Sequence, residues 1–226
     1  MKMKRLSLAV ALVVLLMAGA AQASLINQSV SISLQTLDFD KFLTVSQFNP
    51  AWGTLLNVTF DLTQYIEGQV KLEHQGSTPQ IVTYMLNASI STQLPDASSL
   101  DTDLPTISNH FHATAYDNNP DYGGTSGYTT SVSSDTNSFF DNFTNVDSEF
   151  SLFIGGSDIS FEATAGALGS IGGGGNAIFQ FISKASADLI VTYEYTPTNN
   201  VPLPATLWLL GSGLIGLVGF GRKLLG

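Results

Sequence analysis

Leu56-Asn57-Val58-Thr59-Phe60-Asp61-Leu62 alternates strictly between apolar and polar residues. Successive side chains of an extended chain point to opposite faces, so this period of two predicts a strand. Leu56, Val58, Phe60 and Leu62 would pack inward, with Asn57, Thr59 and Asp61 facing water. The pattern returns near the other end, where Leu189, Val191, Tyr193 and Tyr195 share a face opposite Ile190, Thr192 and Glu194. Further strands are predicted over 29–34, 69–74, 80–91, 107–116, 149–154, 159–164 and 177–183. Turn clusters such as Gly76-Ser77-Thr78-Pro79 and Asp117-Asn118-Asn119-Pro120-Asp121 lie between them. No window of helical length between 24 and 200 carries an apolar stripe of period 3.6. Short strands without intervening helices predict an all-β fold, a β-sandwich of jelly-roll type. The Asn/Asp/Gly/Ser-rich run 117–138 reads as a surface excursion. The glycine-rich run 166–175 reads as a mobile connection or a close-approach loop.

The two ends differ from this domain. Lys2, Lys4 and Arg5 precede the apolar stretch 6–17, and Ala21-Gln22-Ala23 is a small-x-small site, so residues 1–23 read as a signal peptide with Ser24 as the mature N-terminus. At the other end, Thr196-Pro197-Thr198-Asn199-Asn200 is a short polar spacer. Pro202-Leu203-Pro204 then leads into an uncharged, glycine-rich run, with Arg222 and Lys223 just beyond it. The twenty residues 201–220 would span ~30 Å as a helix, one bilayer core, and a transmembrane helix is predicted over 205–221. The prolines suit its first turn, and the terminal cations hold its end in the cytoplasm. The chain divides into a signal peptide 1–23, an exported domain 24–196, a spacer 197–201 and a tail 202–226.

Composition narrows the chemistry. All eighteen acids lie between Ser24 and Asn200, against Lys41, Lys71 and Lys184 alone, leaving the mature domain with fifteen net negative charges. Such a surface cannot neutralise phosphates, which disfavours nucleic acid and anionic lipid as partners. The absence of cysteine excludes disulfides, Cys-ligated zinc and thiol catalysis, so a hydrophobic core must hold the domain.

Val201-Pro202-Leu203-Pro204-Ala205, followed by the apolar run and Arg222-Lys223, resembles a PEP-CTERM sorting signal, with Leu203 where the family's named motif has Glu. The resemblance implies a Gram-negative bacterium, an exosortase as partner after signal peptidase, an inner-membrane intermediate, and delivery to the cell surface or extracellular matrix, where such proteins accompany exopolysaccharide. Leu203-Pro204-Ala205-Thr206-Leu207 is one residue from the Gram-positive sortase signal, which requires Gly where Leu207 stands. Two blocks of the domain, 47–58 (Gln47-Phe48-Asn49-Pro50-Ala51-Trp52-Gly53-Thr54-Leu55-Leu56-Asn57-Val58) and 190–195, resemble the choice-of-anchor E domain. Together these imply a non-enzymatic surface protein with a structural or adhesive role in a biofilm matrix. Two alternatives are a carbohydrate-binding or carbohydrate-active secreted protein and a permanently membrane-anchored one.

Candidate ligand residues are few. His110 and His112 would project from one strand face and could share a metal, with His74 or an acidic loop residue as a third ligand. Asp96, Asp101 and Asp103, and separately Asp117 and Asp121, could supply Ca²⁺ with oxygens, although turn formation explains such residues equally well. Tyr122 and Tyr128 could stack on a sugar, with Trp52, Tyr84 and Tyr116 as further rings. No catalytic residues are nominated: there is no Gly-x-Ser-x-Gly elbow and no phosphate loop.

Overall fold

The computed structural model describes residues 23–173 and 175–198. The segment 1–22, the helix expected over 205–221, and the sorting residues Val201, Pro202, Leu203, Pro204, Ala205, Arg222 and Lys223 lie outside the described residues, as does Ala21. No described helix is long and apolar enough to cross a membrane.

Among the described residues ten strands run in order: β1 (Ser24–Thr36), β2 (Phe39–Ser46), β3 (Gly53–His74), β4 (Gln80–Gln93), β5 (Ser99–Asp103), β6 (Ile107–Ala113), β7 (Gly127–Thr129), β8 (Ser133–Thr144), β9 (Asp158–Gly172) and β10 (Ala177–Pro197). Their pairing is nested. β1 pairs with β10, β2 with β9, β3 with β7 and β8, and β4 with β5 and β6, all antiparallel. A ribbon folded on itself in this way rolls into two five-stranded sheets. One has the order β1-β10-β3-β8, with β7 also on β3; the other has β2-β9-β4-β5, with β6 also on β4. The described chain is thus all-β, two antiparallel sheets consistent with the expected β-sandwich.

The core lies between the sheets and follows the period of two. Val58, Phe60, Leu62, Leu189, Val191 and Tyr193 are all fully buried. Phe60 meets Phe161 edge-on at 5.0 Å, and Phe153 stacks on Phe143 at 5.7 Å. One buried amide ties the layers together. The Gln64 side chain on β3 donates to Thr102 Oγ1 (2.8 Å) and to the Leu100 carbonyl (3.1 Å), and accepts from the Thr92 amide (3.1 Å). The seam between β1 and β2 is closed similarly. Gln28 Nε2 donates to the Ser46 carbonyl (2.6 Å), while the Ser46 amide donates to Gln28 Oε1 (2.8 Å), so a side chain replaces a missing ladder rung.

Four sequence readings are corrected. Leu56 is exposed, because the β3–β10 register shifts between Glu194 and Tyr195 and turns Leu55 inward instead. Residues 149–154 are no strand: Ser148–Phe153 is a 3₁₀ helix whose three-residue repeat buries Phe150 and Phe153 together. The 117–138 excursion ends early, since β7 and the start of β8 occupy its second half. The glycine run is mostly strand, with β9 continuing to Gly172; a Cβ at Gly169 would lie 2.3 Å from the Phe181 ring, a true close approach.

Candidate functional site

Two surfaces stand out, both set by β3 and β10. The first is the outer face of the β1-β10-β3-β8 sheet. The register places Asn27, Thr192, Thr59 and Asn142 in one row across four strands. Ser29, Ile190, Asp61 and Phe140 form the next row, and Ser31, Asp188, Thr63 and Ser138 the one after. Thr59 Oγ1 donates to Asn142 Oδ1 at 2.8 Å, and the Thr63 and Ser138 hydroxyls are 3.0 Å apart. The result is a face of hydroxyls, amides and the carboxylates of Asp61 and Asp188 with strand spacing of ~4.8 Å, and Phe140, 62% exposed, stands on its edge strand β8. Phe139-Phe140 held the signal for this ring, since adjacent strand residues cannot both face the core.

The second surface is the end where the chain enters and leaves the domain. Ser24 pairs with Tyr195, so the first residue of β1 lies beside the end of β10. Gly53 pairs with Pro197, and a Cβ at Gly53 would lie 2.0 Å from the Thr196 carbonyl oxygen, a contact only glycine permits. The Thr198 amide then donates to the Trp52 carbonyl at 3.1 Å, which fixes the chain up to residue 198. Below, Phe48 packs against Trp52, Tyr193 and Tyr195 at 5.6, 6.0 and 5.2 Å. Burial of the Tyr193 hydroxyl raises its pKa far above the ordinary tyrosine value.

The other nominated residues are placed as follows. His110 and His112 do share an exposed face of β6, with ring centroids 5.2 Å apart. His74 is buried, with Nε2 2.9 Å from the Thr78 carbonyl. Among the described residues no three His, Asp or Glu side chains gather as a metal-binding group. Asp96 caps its own turn by accepting from the Ser98 hydroxyl and amide, which hold its carboxyl below the usual range. Asp101 and Asp103 lie on β5, opposite Ser91 and Ser89. Asp117 accepts from the Asn119 amide and Asp121 from the Gly123 amide, so both shape the loop. Tyr122 lies in the loop before β7, its carbonyl accepting from Thr129 Oγ1 at 3.1 Å. Tyr128 stacks on Phe111 at 5.2 Å and lies 6.0 Å from Tyr84, whose pKa is pushed up to about 12 by burial and by the Tyr128 hydroxyl. Sequence reasoning passed over Glu73, which is fully buried against Gly127, with neither carboxylate oxygen hydrogen-bonded.

Comparison with solved structures finds only faint likeness. The infectious bursal disease virus Gx strain structure is 12% identical over 88% of this chain and 49% of that one, with a TM-score of 0.15, so this chain spans about half its length. A mud crab tombus-like virus structure is 10% identical over 83% and 98% of the two chains (TM-score 0.17), and the parasporin-2 toxin of Bacillus thuringiensis is 11% identical over 76% and 68% (TM-score 0.17). No curated protein matches. The family comparison is specific to the tail and bears on no residue of the two resembling blocks: residues 200–223 match the PEP-CTERM protein-sorting motif, which indicates an exported, exosortase-processed protein directed toward the surface of a Gram-negative cell.

Proposed function

We propose that the protein is a non-enzymatic component of the cell surface or extracellular matrix, with a structural or adhesive role toward secreted neutral polysaccharide. The observation that carries this reading is the outer face of the β1-β10-β3-β8 sheet. Its rows of Ser, Thr and Asn offer donors and acceptors at strand spacing, and Phe140 offers a ring on which a sugar's C–H face can stack. Fifteen excess negative charges keep polyanions away and leave uncharged glycans acceptable. Kinship with the choice-of-anchor E domain belongs to the same proposal. What supports it is that its two blocks pack together, through Phe48 against Tyr193 and Tyr195.

The test is retention of the protein on the neutral exopolysaccharide of its own host. Phe140→Ala should weaken retention about tenfold without changing the melting temperature, the loss expected of an aromatic anchor. Equal retention of both forms would remove the sheet face from consideration.

A further inference from the structure

We propose that the end of the sandwich from which the sorting motif departs is itself a docking surface for the membrane enzyme that reads the motif. This rests on the exosortase reading of residues 200–223. The geometry is one of reach. Thr198 is hydrogen-bonded to the Trp52 carbonyl, so Pro202 stands four residues beyond a fixed point, at most ~14 Å away even fully extended. An enzyme gripping Pro202 and Pro204 must therefore touch the domain.

What it would touch is an apolar patch. Trp52 (44% exposed) and Leu56 (42%) lie beside the end of β10, and Leu152 (42%) belongs to the short helix whose Phe153 carbonyl accepts from the Phe48 amide. Leu56 sits in the bulge opposite the step from Glu194 to Tyr195, and Ile154, also exposed, bridges to Phe48 beneath Trp52. Such a cluster at a fixed exit marks an interaction site rather than scattered surface apolarity. Its rim is acidic. Glu194 pairs with Asn57, Asp158 pairs with Ser46, and Asp147 and Glu149 flank the start of the short helix that carries Leu152. The three lysines of the domain pair elsewhere, Lys41 with Ala163, Lys71 with Thr129 and Lys184 with Thr36 and Glu67. An apolar centre with a carboxylate rim fits a protein surface with a basic rim. It repels anionic phospholipid, and it repels a second copy of itself.

The experiment follows processing of the full-length chain, by mass and by pulse-chase, in cells that carry the processing enzyme. Leu56→Ser/Leu152→Ser should be processed about tenfold more slowly, with an unchanged melting temperature. Inserting ten Gly/Ser residues after Thr198 should slow processing likewise by uncoupling motif from surface; because this variant touches no packed residue, it decides the matter if the double serine variant fails to fold. Glu149→Lys/Glu194→Lys should slow processing further. Acceleration by the added lysines would identify an anionic lipid surface instead and overturn the proposal. Wild-type rates in the surface and insertion variants, with Pro202→Ala/Pro204→Ala blocked, would overturn the docking surface and leave the sorting reading standing. Normal processing of the proline variant would sink both.

Discussion

A buried carboxyl group that meets neither water nor a donor costs several kcal/mol, and Glu73 is in that position against Gly127. Replacing it with the uncharged isostere should therefore help: Glu73→Gln is expected to stabilise the domain by ~1–3 kcal/mol in urea unfolding. A loss of stability would mean that the carboxylate has a partner in solution. Tyr84 makes an opposite demand on pH. Its folded pKa of about 12 lies above the ordinary value near 10, so the folded state holds this proton more tightly. Its contribution is complete below pH ~10 and is lost as pH rises toward 12. Thermal midpoints should fall across that window, and Tyr84→Phe should flatten the decline in part, leaving the share due to Tyr193.

At the scale of elements, strands with one clean apolar face were legible, much of the edge strands β1 and β6 included, and the polar edge strand β8 was not. The centre of β3 and the end of β10 announce themselves because both lie mid-sheet over the core. β8 reads as a polar loop, since only Phe139 and Phe143 of its twelve residues face the interior with apolar groups. The 3₁₀ helix at Ser148–Phe153 was hidden because Phe150 and Phe153 fit a strand's composition as well as a three-residue repeat. Paired histidines on β6 were legible from alternation alone, whereas Phe140 and Glu73 needed the register and the loop fold to acquire meaning. Gln28 illustrates the same limit, since nothing local marks it as the stitch between β1 and β2. Gln28→Ala should cost ~1–2 kcal/mol and speed hydrogen exchange at the Ser46 amide, because two bonds are lost and a backbone donor is left open. Unchanged exchange at Ser46 would show that the seam closes without it.

For the whole molecule, the nested pairing brings the start of β1 and the end of β10 to one end, Ser24 beside Tyr195. The body is thus presented to its processing machinery by a single pole, and intact mass of the surface form tests the outcome. It should begin at Ser24 and lack Trp208; a mass that includes Trp208 would mean a retained anchor. The same arrangement has a mechanical consequence. β10 is held along its length by β3 and from Lys184 to Tyr195 by β1 on its other side, and it is the strand that continues toward the tail. A tether pulled at residue 198 against a grip on the opposite pole would draw β10 along its own axis. The load would fall on both ladders at once, in shear, and the domain would resist tension as a rivet does rather than opening like a zip.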